Sequence, residues 1–369
     1  MRKLGGFGVA LVLAATTGLI WTTSRGQAQS PVQTQTVVSD LEIPWAAQFA
    51  GDGRLFLTER PGRIRIIRND KLDPQPWATI PVAHVGEGGL LGLALAPDFT
   101  RSKFVYVYYT YQADGRLWNR VTRLIDQNGR GEIDRVILDQ IPGAVVHDGG
   151  RIKFGPDGKL YVTTGDARQP SQAQDRAALG GKILRINPDG AIPADNPFAG
   201  SPVFSFGHRN AQGLAWHPQA TTMYASEHGP TGEFGLCCRD KVNVIKAGNN
   251  YGWPVVAGRA GDPRFVDPIA DSGVSDTWAP SGILVPSRGP WQGSVLVAEL
   301  RGASLRRLLL TGAGFTQVRS QEVYFRDDLG RLRDVFEGPD GTLYLLTNNT
   351  DGRGTPRPHD DRMLKIVFS

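Results

Sequence analysis

His147 is the residue of this chain best suited to moving a proton. It stands in VVHDGGRIKFG, residues 145–155, with Gly149 and Gly150 just behind it. Glycines there let backbone approach a ligand closely, and imidazole is the natural base near neutral pH. Asp166 ends TTGD, after the following strand-like stretch. If the two stretches pair as a hairpin, the Asp166 carboxylate meets the imidazole, fixes its tautomer and raises its basicity. Spacing alone leaves open a loop histidine and an unrelated turn aspartate.

Arg331 and Arg333 lie in GRLRDVFEGPDG, residues 330–341. Two apart on a strand, they face the same way. Paired guanidiniums repel unless an anion lies between them, and arginine suits carboxylates. The other reading is internal ion pairing, with Asp327, Asp328 and Asp334 at hand. FSFGHRNAQGLAW, residues 204–216, adds His208, Arg209 and Asn210. SEHGPTGE, residues 226–233, sets Gly229 and Pro230 in a turn, and turn carbonyls suit hard cations such as calcium. One base, several cations, an amide and a candidate calcium site together fit an anionic, carboxylate-bearing small molecule.

These clusters border a repeat. A short apolar run leads to a turn on Asp-Gly or Pro-Asp-Gly, then to a strand like Leu-Tyr-Val. The clear copies are FAGDGRLFLTER (49–60), IKFGPDGKLYVTTGD (152–166) and FEGPDGTLYLLTNN (336–349). Looser copies occupy residues 93–110, 214–229 and 283–300. Copies fall roughly 50 to 70 residues apart, the spacing of propeller blades. A second strand follows each one, with basic and apolar residues alternating: GRIRII, NRVTRLI, GKILRI, DKVNVI, SLRRLLL and RMLKIVF. Alternation of this kind predicts half-buried strands near a sheet edge. One copy cannot bury its own apolar face, so six must close into a ring. The expected fold is all-β, a six-bladed β-propeller of four-stranded antiparallel blades. TQTVVSDLEI, residues 34–43, is expected to share a blade with the last strand and close the ring.

Length and charge agree with one domain. The chain has 369 residues, and its 46 glycines and 25 prolines suit many turns. A formal charge of +5, spread over the repeats without a basic patch, argues against nucleic acid as a partner. Arg2 and Lys3 precede an apolar run and then SRGQAQS. That pattern predicts a secretory signal over residues 1–28, cleaved after Ala28, with the propeller domain over 29–369. An uncleaved anchor is the rival, although the run is short for a membrane span. Cys237 and Cys238 are the only cysteines. They could form a vicinal ring, stay reduced or pair between chains. Zinc would need more ligands.

At these residues the sequence resembles the soluble pyrroloquinoline-quinone-dependent sugar dehydrogenases, the glucose/sorbosone dehydrogenase family. The resemblance runs from about Pro44 onward. It rests on GEGGLLGLALAPDF (86–99), HDGGRIKFGPDGKLYVTTGD, GHRNAQGLAWHP, EHGP, NNYGWP (249–254), WAPSGI (278–283) and RLRDVFEGPDGTLYLLT. It implies a six-bladed propeller and two cofactors, pyrroloquinoline quinone and calcium. By resemblance, His147 takes the proton of a sugar's anomeric hydroxyl while hydride passes to the quinone, and Asp166 holds His147. Arg331 and Arg333 would pair with the quinone's carboxylates, helped by Arg209 and Asn210. Gly229 and Pro230 would offer carbonyls to calcium. Thr277 and Arg301 match further cofactor-contact positions, although the family usually has Lys where Arg301 stands.

Two departures stand out. Glu87 occupies a position where Gln is common, near substrate and quinone. A carboxylate there repels an anionic cofactor unless it is protonated or paired. Lys241 stands where relatives carry a glutamate ligand of a second, structural calcium. That site is expected to be lost, or rebuilt with Asp240. The segment GEFGLCCR is unlike the best-known glucose enzymes, and the loops are short. Both features favour the broad-specificity aldose dehydrogenase branch and a monomer.

The expectation is therefore an exported, periplasmic or secreted quinoprotein that oxidises aldoses to lactones and passes electrons to an unidentified acceptor. A calcium-dependent lactonase or esterase on a similar propeller is the alternative enzyme. A binding propeller without its cofactor is the non-enzyme alternative.

Overall fold

The computed structural model describes Met1 and residues 32–368; beyond Met1, the expected signal segment lies outside the described residues. The described residues fold into six antiparallel sheets, which are the blades of a propeller. Their innermost strands follow one another around the axis: Pro44–Phe49, Leu90–Leu95, Ile152–Phe154, Ala211–Trp216, Pro280–Leu284 and Leu332–Glu337. Each leads through a turn into a second strand that carries the Leu-Tyr pattern. Those second strands are Leu55–Glu59, Phe104–Ala113, Leu160–Thr163, Met223–Glu227, Val295–Glu299 and Leu343–Thr347. The six basic-apolar stretches all form third strands.

Third strands are more deeply set than simple alternation predicts. Lys182–Ile186 and Lys241–Ile245 are buried at every position. The reason is the neighbouring blade and loop, which cover the face a lone sheet would leave wet. The lysines survive burial by finding oxygen partners. Lys182 Nζ donates to the carbonyls of Gln172, Ala173 and Gly180 at 2.6, 3.2 and 2.6 Å. Lys241 Nζ sits 3.2 Å from Glu227 on the second strand of its own blade.

Ring closure follows the expectation. Val32–Val38 pairs antiparallel with Met363–Phe368, so the sixth blade takes its outer strand from the other end of the chain. The unpaired edge that strand would otherwise leave is removed. In the first blade the outermost place is shared by two short strands, Lys71–Leu72 and Ala78–Thr79.

The axis is not an open pore. Trp45, from the first inner strand, is buried, with the Arg151 and Arg333 guanidiniums 4.2 and 5.6 Å from its ring centre. Cation–π contact in a site closed to water fixes all three side chains. Arg151 also pairs with Asp334 at 3.0 Å. Loops before the inner strands, and loops between second and third strands, gather at one end of this plug.

Candidate active site

His147 and Asp166 come from two such loops. His147 precedes the third inner strand, and Asp166 follows the second strand of the same blade. Their side chains meet: His147 Nδ1 lies 2.7 Å from Asp166 Oδ1. The approach depends on Gly165, where a Cβ would stand 1.7 Å from the His147 carbonyl oxygen. That is why TTGD carries a glycine at this position. Asp166 is held in turn. Its Oδ2 accepts the Trp253 indole N–H at 2.8 Å, and its Oδ1 accepts the Arg168 amide at 2.9 Å. Both side chains are buried. Only His147 Nε2 is left to act.

The backbone of His147 has a left-handed φ of 67°, unusual for a residue with a side chain. Glu87 Oε2 accepts its amide at 3.0 Å, and the Ala167 amide donates to its carbonyl at 3.2 Å. Strain at this point is thus stabilised from two neighbouring loops.

His147 borders a cavity of about 320 Å³, the size of a small-ligand pocket. Arg209, Arg301, Arg331, Arg333 and Arg353 line it, with Glu87 and Asp240 as the carboxylates. Arg333 is the most telling. It is buried, and its hydrogen bonds run to neutral groups: Asn348 Oδ1 at 2.9 and 3.1 Å, Gln212 Oε1 at 2.8 Å and Ser281 Oγ at 3.2 Å. Burial pulls its pKa down to about 9, so it stays charged at neutral pH. A buried cation with neutral partners favours an anion in the pocket. Arg331 pairs with Asp351 at 2.8 Å rather than with Asp327, Asp328 or Asp334. Arg301 is exposed and its side chain has no partner among the described residues.

Further polar atoms wait for partners. Arg209 Nε, Asn210 Nδ2 and His228 Nε2 are buried and unpaired. Asn210 Oδ1 is occupied by the Gly149 amide at 3.0 Å. Burial pulls His228 down to about 4, which keeps its ring neutral. The donor-rich lining therefore fits a planar polycarboxylate such as pyrroloquinoline quinone.

Gly229 lines the same cavity. No other residue fits there, since a Cβ would meet the Cys238 carbonyl oxygen at 1.8 Å. Its amide donates to Asp240 Oδ1 at 2.8 Å, while the Pro230 carbonyl accepts the Cys238 amide at 2.9 Å. Asp240 Oδ2 accepts the amides of Trp278 and Ala279 at 2.7 and 2.9 Å. Both Asp240 oxygens thus brace backbone. The Lys241 ammonium pairs with Glu227.

Cys237 and Cys238 form a vicinal disulfide. Thr277 Oγ1 lies 3.5 Å from Cys238 Sγ and Thr277 lines the cavity, so the disulfide stands at the rim. Sequence reasoning passed over Arg353, Gln212, His228, Trp253 and Glu233. NNYGWP contained Trp253. Arg353 sits in a Gly-Arg-Gly turn with no local pattern to mark it. A further cavity of about 330 Å³ lies among the later halves of the inner strands, lined by Arg151, Lys153 and Asp334, away from His147.

The family described as glucose/sorbosone dehydrogenase matches residues 41–356. Aldose sugar dehydrogenase YliI of Escherichia coli is 31% identical over 352 residues, covering 88% of this chain and 92% of that protein. Quinoprotein glucose dehydrogenase B of Acinetobacter calcoaceticus is 30% identical over 318 residues, covering 72% and 63%. The solved structure of the PQQ-bound aldose sugar dehydrogenase of Streptomyces coelicolor has a TM-score of 0.82 at 39% identity, covering 93% of this chain and 99% of that one. The likeness runs around the whole ring, not one blade, and the chain belongs to the glucose/sorbosone dehydrogenase family.

Proposed function

We propose that this protein oxidises aldose sugars to lactones with pyrroloquinoline quinone and calcium, His147 acting as the base. The observation that carries the reading is the His147–Asp166 pair, which engages Nδ1 and leaves Nε2 for the base on a residue that lines an arginine-rich cavity. The quinone, when bound, supplies a two-electron acceptor for the anomeric hydride, and calcium a Lewis acid beside it. Arg333, Arg331 and Arg209 would hold the carboxylates, with Asn210, Thr277 and Arg301 alongside and Glu87 at the rim. The Gly229 and Pro230 carbonyls would hold calcium.

The rest of the chemistry belongs to this chain. Asp166 fixes the imidazole with its proton on Nδ1, so the Nε2 lone pair can accept the proton of the anomeric hydroxyl. As the imidazolium forms, the adjacent Asp166 carboxylate stabilises it. Trp253 keeps that carboxylate from turning away. The buried, water-poor surroundings strengthen each of these contacts.

The sequence pattern at the N-terminus supports export, and no helix among the described residues is long and apolar enough to cross a membrane. We take the working form to be a monomer that hands electrons to an external acceptor. A calcium-dependent lactonase needs side-chain oxygens around an axial metal. The arginines beside His147 suit a quinone's carboxylates better.

The test is dye reduction by the purified protein with a panel of aldoses and calcium, with and without the quinone. Quinone-dependent turnover supports the dehydrogenase. Metal-dependent ester hydrolysis without quinone would replace it with the hydrolase.

A further inference from the structure

The segment that sets this chain apart, GEFGLCCR, folds over the other side of His147. A cavity of about 350 Å³ there is lined by Val146, His147, Asp166, Arg168, Pro170, Thr231 and Glu233. Val146, His147 and Thr231 line the arginine-rich cavity as well, so His147 stands between the two spaces. Glu233 Oε1 lies 3.7 Å from His147 Nε2, the one imidazole nitrogen left to act.

Glu233 is fixed but not used up. Oε1 accepts from the Arg209 guanidinium, and Oε2 accepts the Thr231 amide at 2.6 Å. A carboxylate offers about four acceptor positions, so roughly two remain. The side chain is 28% exposed and therefore reachable. Partial burial pushes its carboxyl up, but the Arg209 and Thr231 hydrogen bonds outweigh that and hold it below the ordinary range. At neutral pH it is an acceptor alone.

Its loop is preorganised. The Gly232 amide donates to the Leu236 carbonyl at 2.8 Å, and the Leu236 amide to the Glu233 carbonyl at 2.9 Å. Thr231 and Cys237 form a β-bridge, and the Cys237–Cys238 disulfide closes a small ring at the loop's far end. The Phe234 ring stands 5.8 Å from that of Trp253, which holds Asp166. The loop is thereby tied to the side chains that orient the base.

We propose that Glu233 is a specificity-determining residue that accepts a hydrogen bond from the substrate hydroxyl on the carbon next to the reacting one. This rests on the sugar-oxidation reading above. A hydroxyl giving its proton to His147 Nε2 must lie against that nitrogen, and its neighbour on the sugar ring then falls within reach of Glu233. The substrate class is aldoses with a free hydroxyl, or an ammonium, at carbon 2. Sugars lacking a donor there leave the carboxylate unmatched.

The test compares glucose, glucosamine and 2-deoxyglucose as substrates of the quinone-loaded wild type, Glu233→Ala and Glu233→Gln. A hydrogen bond to a charged group contributes about 1.5–3 kcal/mol, roughly a 10- to 150-fold preference in kcat/KM for glucose over 2-deoxyglucose. Glu233→Ala should bring that ratio near one, mainly through KM for glucose. Glu233→Gln should keep part of it for glucose and lower kcat/KM for glucosamine, whose ammonium then lacks a charged partner. A ratio unchanged in Glu233→Ala overturns the proposal. Wild type without turnover on any sugar defeats the sugar-oxidation reading instead. Binding of the same sugars to the cofactor-free protein by saturation-transfer NMR then decides. Glucose favoured over 2-deoxyglucose only in the wild type supports Glu233; equal binding, or none, overturns it.

Discussion

Arg353 Nη1 lies 2.6 Å from Glu87 Oε1, although 266 positions of sequence separate them. The loop of the sixth blade thus neutralises the carboxylate that precedes the second inner strand. Burial would push Glu87 up. The Arg353 guanidinium and the hydrogen bonds from the His147 amide and Arg353 outweigh it and hold the carboxyl below its ordinary range. Glu87 is therefore charged but paired, and an anionic cofactor meets the pair instead of a bare negative charge.

Arg353→Ala should accordingly weaken quinone binding about tenfold or more, and the loss should be much smaller in a Glu87→Gln background. Fluorescence titration of the four proteins gives the coupling, expected at about 1–3 kcal/mol for groups in contact. Additive effects would show that the two side chains act separately.

Asp166→Asn keeps the shape but can place an amide N–H against His147 Nδ1. The imidazole then turns its proton toward the substrate. The expected result is a fall in kcat of about 10²- to 10⁴-fold with little change in quinone affinity. Steady-state kinetics beside a binding titration checks both parts.

Asp148, next to His147, is buried with Oδ2 unpaired. Burial raises its carboxyl from 3.8 to about 7, despite hydrogen bonds from Asn119 and Ala144. The folded protein therefore holds this proton where the unfolded chain has lost it. The resulting stability is present below about pH 4 and is lost as pH rises to about 7. Asp148→Asn should remove that slope and stabilise the fold at pH 8 by on the order of 2 kcal/mol. Urea unfolding at pH 5 and pH 8 measures it; an equal change at both would contradict the assignment.

Lys241 and Glu227 form a buried pair, with His208 Nδ1 2.9 Å from the same carboxylate. Lys241→Met leaves Glu227 short of a cation, which should cost about 3 kcal/mol and lower Tm by roughly 5 °C. Because the ammonium already gives Glu227 its cation, a chelator should leave the Tm of the cofactor-free wild type unchanged. A chelator-induced fall would mean a structural metal after all.

The ring was legible because its signal is local and repeated. Each blade carries its own apolar run, turn and Leu-Tyr strand, and closure by the stretch near Val38 follows from counting strands. His147, Asp166 and Arg333 were legible because each borders such a copy. Glu233 and Arg353 were not. Arg353 meets its partner Glu87 across 266 positions of sequence, Glu233 meets His147 only across two loops, and neither residue sits in a repeating position. The depth of Lys182 and Lys241 was missed for a related reason: alternation reports a strand's own faces, while burial depends on what the next blade lays over them. The state of Cys237 and Cys238 needed the fold of the loop around them.

The most direct measurement is kcat for quinone-dependent glucose oxidation by His147→Ala beside the wild type, with quinone affinity measured on both. The account predicts near-equal quinone binding and a kcat lower by about 10³-fold or more. Turnover retained in His147→Ala at equal cofactor loading would contradict His147 as the base.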